Sequence, residues 1–139
     1  MAQTIREIMT TDPICVPSSA SIYEAAKLMR DKNIGNVIVQ DGGEVCGIVT
    51  DRDIVVRGVA ARQNTEETPI ADICSADVLI AHPDDDVDAA IQTMHSRAIR
   101  RLPVVEDGHP VGVLSLGDLA VQRDRRSVLG GISAAPPNR

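Results

Sequence analysis

The stretch Gly47-Ile48-Val49-Thr50-Asp51-Arg52-Asp53 returns 65 residues further on as Gly112-Val113-Leu114-Ser115-Leu116-Gly117-Asp118. Each copy runs from a glycine through two apolar residues to a hydroxyl, with an aspartate three positions after the hydroxyl. An apolar run, then Ser or Thr, then an acid three residues on marks the end of a strand and the N-terminus of a helix. Working outward, residues 4–55 align with 69–120 at this constant offset and without a gap. Ten of the 52 pairs are identical, against roughly three expected for unrelated segments of this composition. The identities include Ile5 with Ile70, Ala25 with Ala90, Met29 with Met94, Gly43 with Gly108 and Gly47 with Gly112. These are apolar and turn positions, where a shared backbone demands them, so the chain reads as two copies of one unit.

Each copy carries the same order of elements. A short apolar stretch, Ile14 to Val16 or Leu79 to Ala81, reads as a brief strand before a proline-containing loop. Ser21, three residues before Glu24, caps a helix that carries Ile22, Ala25, Ala26 and Met29 on one face; Asp86 caps its counterpart, with Val87, Ala90, Ile91 and Met94. Two strands around a tight turn follow. They are Asn36 to Gln40, Asp41-Gly42-Gly43 and Val45 to Thr50 in the first copy, and Arg101 to Val105, Glu106-Asp107-Gly108 and Val111 to Leu114 in the second. Gly43 and Gly108 supply the positive φ of the turn. A second helix starts at Thr50 or Ser115, and a short helical piece, Thr4 to Met9 with Thr4 and Glu7 as a capping pair, precedes the first copy.

The fold class is therefore α+β, two β-α-β-β-α repeats. A three-stranded sheet with helices on one face leaves apolar surface, so the repeats are expected to pack together with pseudo-two-fold symmetry. The organisation reads as a first repeat over 1–62, a polar linker over 63–69, a second repeat over 70–121 and a polar tail over 122–139.

Composition narrows the function. The 139 residues, 43% hydrophobic and 24% charged, suit the two repeats and leave no length for a catalytic domain. Fourteen Lys and Arg against twenty Asp and Glu give a net charge of -6, and there is no Trp, no Phe and one Tyr. Phosphate backbones are disfavoured and base-stacking platforms are missing, so nucleic acid is not expected as a partner. No apolar run approaches a membrane span and the opening lacks an export profile, so a cytoplasmic chain without a membrane partner is expected. Cys15, Cys46 and Cys74 form no CxxC pair and read as buried thiols. The acids Asp84, Asp85, Asp86 and Asp88 read as residues favoured by a helix N-terminus, not as a metal site. His82, His95 and His109 stand apart and read as surface residues. No nucleophile–base set, P-loop or GxGxxG appears, so no enzyme is expected.

The doubled motif, with the pre-helix segment Pro17 to Ala25, the strand Arg101-Leu102-Pro103-Val104-Val105 and the opening Ile5-Arg6-Glu7-Ile8-Met9, resembles a pair of CBS domains, the Bateman module, over residues 4 to about 121. The resemblance implies a regulatory module that binds an adenine nucleotide (AMP, ADP or ATP) or S-adenosylmethionine between the repeats and signals to a partner protein. It also implies a homodimer formed through the helices, for which the Met and Ala faces are the expected surface. The aspartate ending each motif is implied to hold ribose hydroxyls, and the Thr or Ser to touch ribose or phosphate, which their acceptor and donor capacity allows.

Family geometry sets the aspartate of one copy opposite the segment before the middle strand of the other. The first cleft so implied has Ile48, Thr50, Asp53, Leu79, Ile80, Ile99, Arg100 and Arg101. The second, weaker cleft, expected to be empty or to take an uncharged adenosyl group, has Ile14, Cys15, Ile34, Asn36, Val113, Ser115 and Asp118. Arg100 and Arg101 suit bidentate bonds to phosphate, whereas Gly35 and Asn36 at the same places in the first copy carry no charge. With so few aromatics, adenine is expected to rest on Ile48, Leu79 and Ile80. Thr50-x-x-Asp53 and Ser115-x-x-Asp118 equally fit helix caps, and the arginines equally fit a solvated edge paired with acids such as Asp51. Arg52 and Arg57 read as pointing to water, with help to a phosphate as the alternative for Arg52. The alternative is a ligand-free interaction or stress protein with a vestigial pocket, with Cys15 and Cys46 as a redox pair.

Overall fold

A computed structural model of the chain describes residues 3–74 and 79–123; the expected tail lies outside them except for its first two residues. In chain order the elements are helix α1 (Ile5–Ile8), strands β1 (Thr10–Thr11) and β2 (Cys15–Pro17), helix α2 (Ile22–Lys32), strands β3 (Asn36–Asp41) and β4 (Glu44–Thr50), and helix α3 (Asp51–Asp53), which runs on as a π-helix (Ile54–Val59). A 3-10 turn (Ile70–Ile73), helix α4 (Val87–Arg97), strands β5 (Arg101–Glu106) and β6 (His109–Ser115) and helix α5 (Leu116–Arg123) complete the described residues. The described residues form two compact units: one holds residues 14–74, the other joins residues 3–13 to 79–123.

The first unit has a sheet in the order β2-β3-β4, with β2 parallel and β4 antiparallel to β3. The second has the order β1-β6-β5. The hairpins match in detail: each has a bulge at the same place, Val39/Gln40 and Val104/Val105, and each turns through positive φ, at Gly42 and Gly43 or at Asp107 and Gly108. Ser21 Oγ accepts the Glu24 N–H at 3.0 Å and so starts α2, while Asp86 starts α4. Both helices stop in a left-handed residue, Asn33 and Ala98, whose N–H turns back to the last carbonyls.

The apolar stripes of these helices form the two cores. Ile22, Ala25 and Met29 pack with Val37, Val39 and Val49, and Val87, Ala90 and Met94 with Leu102, Val104 and Leu114. A fully buried Val, Leu, Ile or Met side chain contributes about 1.5–3 kcal/mol. This corrects one expectation: the Met and Ala faces are covered by their own sheets and are not free to form a homodimer contact.

The lead-in turns are exchanged. Ile5 of α1 is fully buried in the core of the second unit, and Ile70 and Ile73 of the 3-10 turn are buried in the core of the first. The Ile5 and Arg6 N–H groups donate to the Asp85 and Pro83 carbonyls at 3.0 and 2.8 Å, while the Ile70 N–H donates to Ala20 at 2.6 Å. The turn that precedes each repeat in sequence thus packs on the other repeat's helix and sheet, and packing does not follow chain order.

The strand expected at Leu79 to Ala81 shrinks to a single bridge between Ala81 and Val104. The cause is Pro103. In the first unit the Ile38 N–H donates to Ile14 at 2.8 Å and begins the β2–β3 ladder; proline at the matching position has no N–H, so the ladder starts two residues later. No helix among the described residues is long and apolar enough to cross a membrane.

Candidate functional site

In both units the strand-to-helix junction is built the same way. Thr50 ends β4, and its Oγ1 accepts the Asp53 N–H at 3.1 Å while Asp53 Oδ2 accepts the Thr50 N–H at 2.9 Å. Ser115 and Asp118 repeat these bonds at 3.1 and 2.9 Å. The capping reading therefore holds for both copies. It also fixes both half-buried carboxylates: Oδ2 is turned to its own helix, and Oδ1 is the oxygen left for anything else.

The partner strand sets what stands beside each carboxylate. Asn36 is paired with Thr50, and the Gly35 carbonyl accepts the Asp51 N–H at 3.0 Å. Arg101 is paired with Ser115, and the Arg100 carbonyl accepts the Leu116 N–H at 2.9 Å. The first unit thus brings Thr50 and Asp53 together with Gly35 and Asn36, and the second brings Ser115 and Asp118 together with Arg100 and Arg101. Arg100 is exposed and Arg101 half-buried, and neither has a carboxylate within ion-pair reach among the described residues. Asp51, a suggested partner, accepts the Arg52 N–H instead, at 2.8 Å. Arg57, expected to point to water, donates from Nη1 to the Ile73 carbonyl at 3.4 Å and ties the π-helix to the 3-10 turn.

The apolar candidates divide in the same way. Ile14 and Ile34 pack against the first core, while Cys15 and Ile48 are half-buried. Leu79 and Ile99 pack against the second core, Val113 is buried, and Ile80 is 43% exposed.

The junctions also differ at the second carboxylate oxygen. Thr10 Oγ1 donates to Asp118 Oδ1 at 3.0 Å, so both oxygens of Asp118 are engaged. Asp53 Oδ1 has no partner among the described residues. The only trace of Thr10 in the sequence is that the repeat offset pairs it with Ser75, a hydroxyl in both copies.

The cysteines do not form the suggested redox pair. Cys15 lies on β2 and Cys46 on β4, with β3 between them. Two strand spacings alone are about 9.5 Å, and the register sets Cys15 level with Ile48 rather than Cys46, so the two lie beyond the Cα separation a disulfide bridges. Burial pushes the Cys15 thiol up; burial, then the Asp41 and Glu44 carboxylates, do the same at Cys46. Both shifts lower the thiolate fraction that oxidation requires. The acidic run serves the fold: Asp85 accepts the His82 N–H at 3.0 Å, Asp86 caps α4, and Asp84 with Glu106 holds Arg6.

A profile of the CBS domain matches residues 5–58 and 70–122. The chain belongs to the CBS-domain family. The CBS domain-containing protein YhcV of Bacillus subtilis is 36% identical over 120 residues, 86% of this chain and 85% of the relative. Among solved structures, the CBS domain pair of protein MJ0100 in complex with 5'-methylthioadenosine and S-adenosyl-L-methionine is 30% identical, with a TM-score of 0.77 over 91% of this chain and all 100% of that one. The hexameric CBS-CP12 protein from bloom-forming cyanobacteria reaches a TM-score of 0.81 at 27% identity, over 89% of this chain and 70% of that one. This CBS pair is a regulatory module of a kind that is generally not catalytic.

Proposed function

We propose that this CBS pair senses an adenine nucleotide, AMP, ADP or ATP, and passes its occupancy to a partner protein. Asp53 and Thr50 of the first repeat hold the ribose, and Arg100 and Arg101 of the second bind phosphate. The observation that carries this reading is the Asp53 carboxylate: it is oriented by its own helix cap, and its Oδ1 has no partner among the described residues. A vicinal diol needs such an acceptor. The MJ0100 pair supports an adenosyl ligand, since it holds two such compounds. Arg100 and Arg101, which have no carboxylate partner among the described residues, favour an anionic one over S-adenosylmethionine, whose sulfonium they repel. Ile48, Leu79 and Ile80 supply aliphatic surface for the base.

Isothermal titration with AMP, ADP, ATP and S-adenosylmethionine tests the reading. Heat with the phosphate-bearing compounds is expected, and replacing Arg100 and Arg101 by Ala weakens ADP and ATP about tenfold or more, as loss of charge-assisted bonds predicts. No heat with any of the four overturns it. We also propose that the pair works as a homodimer. The π-helix exposes Val55, Val56 and Val59 at 58%, 46% and 60%, an apolar ridge that a second copy would cover. Light scattering across a dilution series reads the mass directly, and a monomer at all concentrations contradicts this.

A further inference from the structure

The second repeat carries a contact that the sensing role does not require. Strand β1 has two residues, both exposed, and lies antiparallel on β6 with Thr10 opposite Val113 and Thr11 opposite Gly112. Its seat is made by Gly112: a Cβ there would stand 2.7 Å from Met9 Sδ and 2.8 Å from the Thr10 carbonyl. Upstream, α1 is anchored by buried Ile5 and by the Arg6 ion pairs with Glu106 and Asp84. The segment is thus firm at α1 and lightly held at β1, and short edge strands open readily while their anchors stay in place.

The Thr10 hydroxyl sits on the one Asp118 oxygen that the helix cap leaves open. We propose that Thr10 is a bolt on the second repeat. A ligand diol at Asp118 and the docked β1 compete for Oδ1, so filling this half of the module releases β1 from β6, whereas Asp53 takes its ligand without that cost. This rests on the reading of the two aspartates as diol acceptors. The consequence is sequential: Asp53 fills first, and only higher nucleotide concentration undocks β1. Release uncovers backbone donors and acceptors along β6, a change of surface that a partner protein can read.

Thr10→Val removes the hydroxyl at nearly constant volume, and Thr10→Ser keeps it. Without ligand, the peptide covering residues 9–13 exchanges its amide hydrogens about three- to tenfold faster in the Val variant and at the wild-type rate in the Ser variant, on the scale of one lost hydrogen bond. Saturating ADP speeds exchange of this peptide in the wild type, and the weaker ADP step tightens about three- to tenfold in Thr10→Val. A weaker step that ignores position 10, or β1 amides that ADP leaves equally or better protected, removes the bolt and leaves the nucleotide reading standing. No ADP heat in wild type or variant removes both.

Discussion

The junctions at Thr50–Asp53 and Ser115–Asp118 share one set of capping bonds, 3.1 and 2.9 Å long in both, yet they differ in what surrounds the carboxylate. Asp53 has uncharged Gly35 and Asn36 beside it and an oxygen without a partner among the described residues; Asp118 has Arg100 and Arg101 beside it and Thr10 on that oxygen. The comparison teaches that duplication preserved what folding needs, the cap, and that chemistry diverged in residues that no cap constrains. A repeat is thus informative about structure where its copies agree and about function where they differ.

The exchange of lead-in turns gives the largest effects by which the comparison can be broken. Ile5→Ala and Ile70→Ala remove matching, fully buried side chains from opposite units, and each is expected to cost about 2–5 kcal/mol in urea unfolding. A small cost at Ile5 beside a large one at Ile70 would contradict the exchange. Next is Gly112→Ala, whose Cβ meets Met9 Sδ and the Thr10 carbonyl; about 1–3 kcal/mol is expected. Gly43→Ala, with a φ of +88° and no neighbour in reach, costs about 1–2 kcal/mol from backbone conformation alone. Exchange of the 9–13 peptide separates the two, since only Gly112→Ala loosens β1.

A smaller effect compares the carboxylates themselves. Asp118→Ala loses the Thr10 bond as well as the cap, so it should destabilise by about 1 kcal/mol more than Asp53→Ala. Equal losses would show that the Thr10 contact contributes nothing. The smallest effect concerns the thiols. Cys15 and Cys46 titrate higher in the folded chain than in the unfolded one, so the unfolded chain gives up these protons first. Stability is level below the ordinary thiol pKa and declines as pH climbs from there through the raised folded values. Alkylation by iodoacetamide should be slow at neutral pH and rise only above the ordinary thiol range.

The parts of this structure that are local in origin were legible in the residues. The Ser21, Asp86, Thr50 and Ser115 caps, the positive φ at Gly43 and Gly108, and the stripes ending at Met29 and Met94 each depend on a few neighbouring positions, and each formed as its pattern predicts. What required tertiary context was not legible. The Ile5-x-x-Ile8 turn declares itself helical but says nothing of which sheet will bury it. The Met and Ala stripes show that a face is covered without saying by what, which is why a dimer contact was expected there. Pro103 was visible as a departure from Ile38, but its effect lies across the sheet, in the ladder that Leu79 cannot begin. Thr10 was missed for the same reason: its partner is 108 residues away, and neither periodicity nor a capping pattern links them.

Parallel ADP titrations of Asp53→Asn and Asp118→Asn test the difference between the two aspartates most directly. The tighter binding step should vanish or weaken about tenfold or more in Asp53→Asn and survive in Asp118→Asn. Loss of that step in Asp118→Asn with Asp53→Asn unaffected, or equal binding in both variants and the wild type, would contradict it.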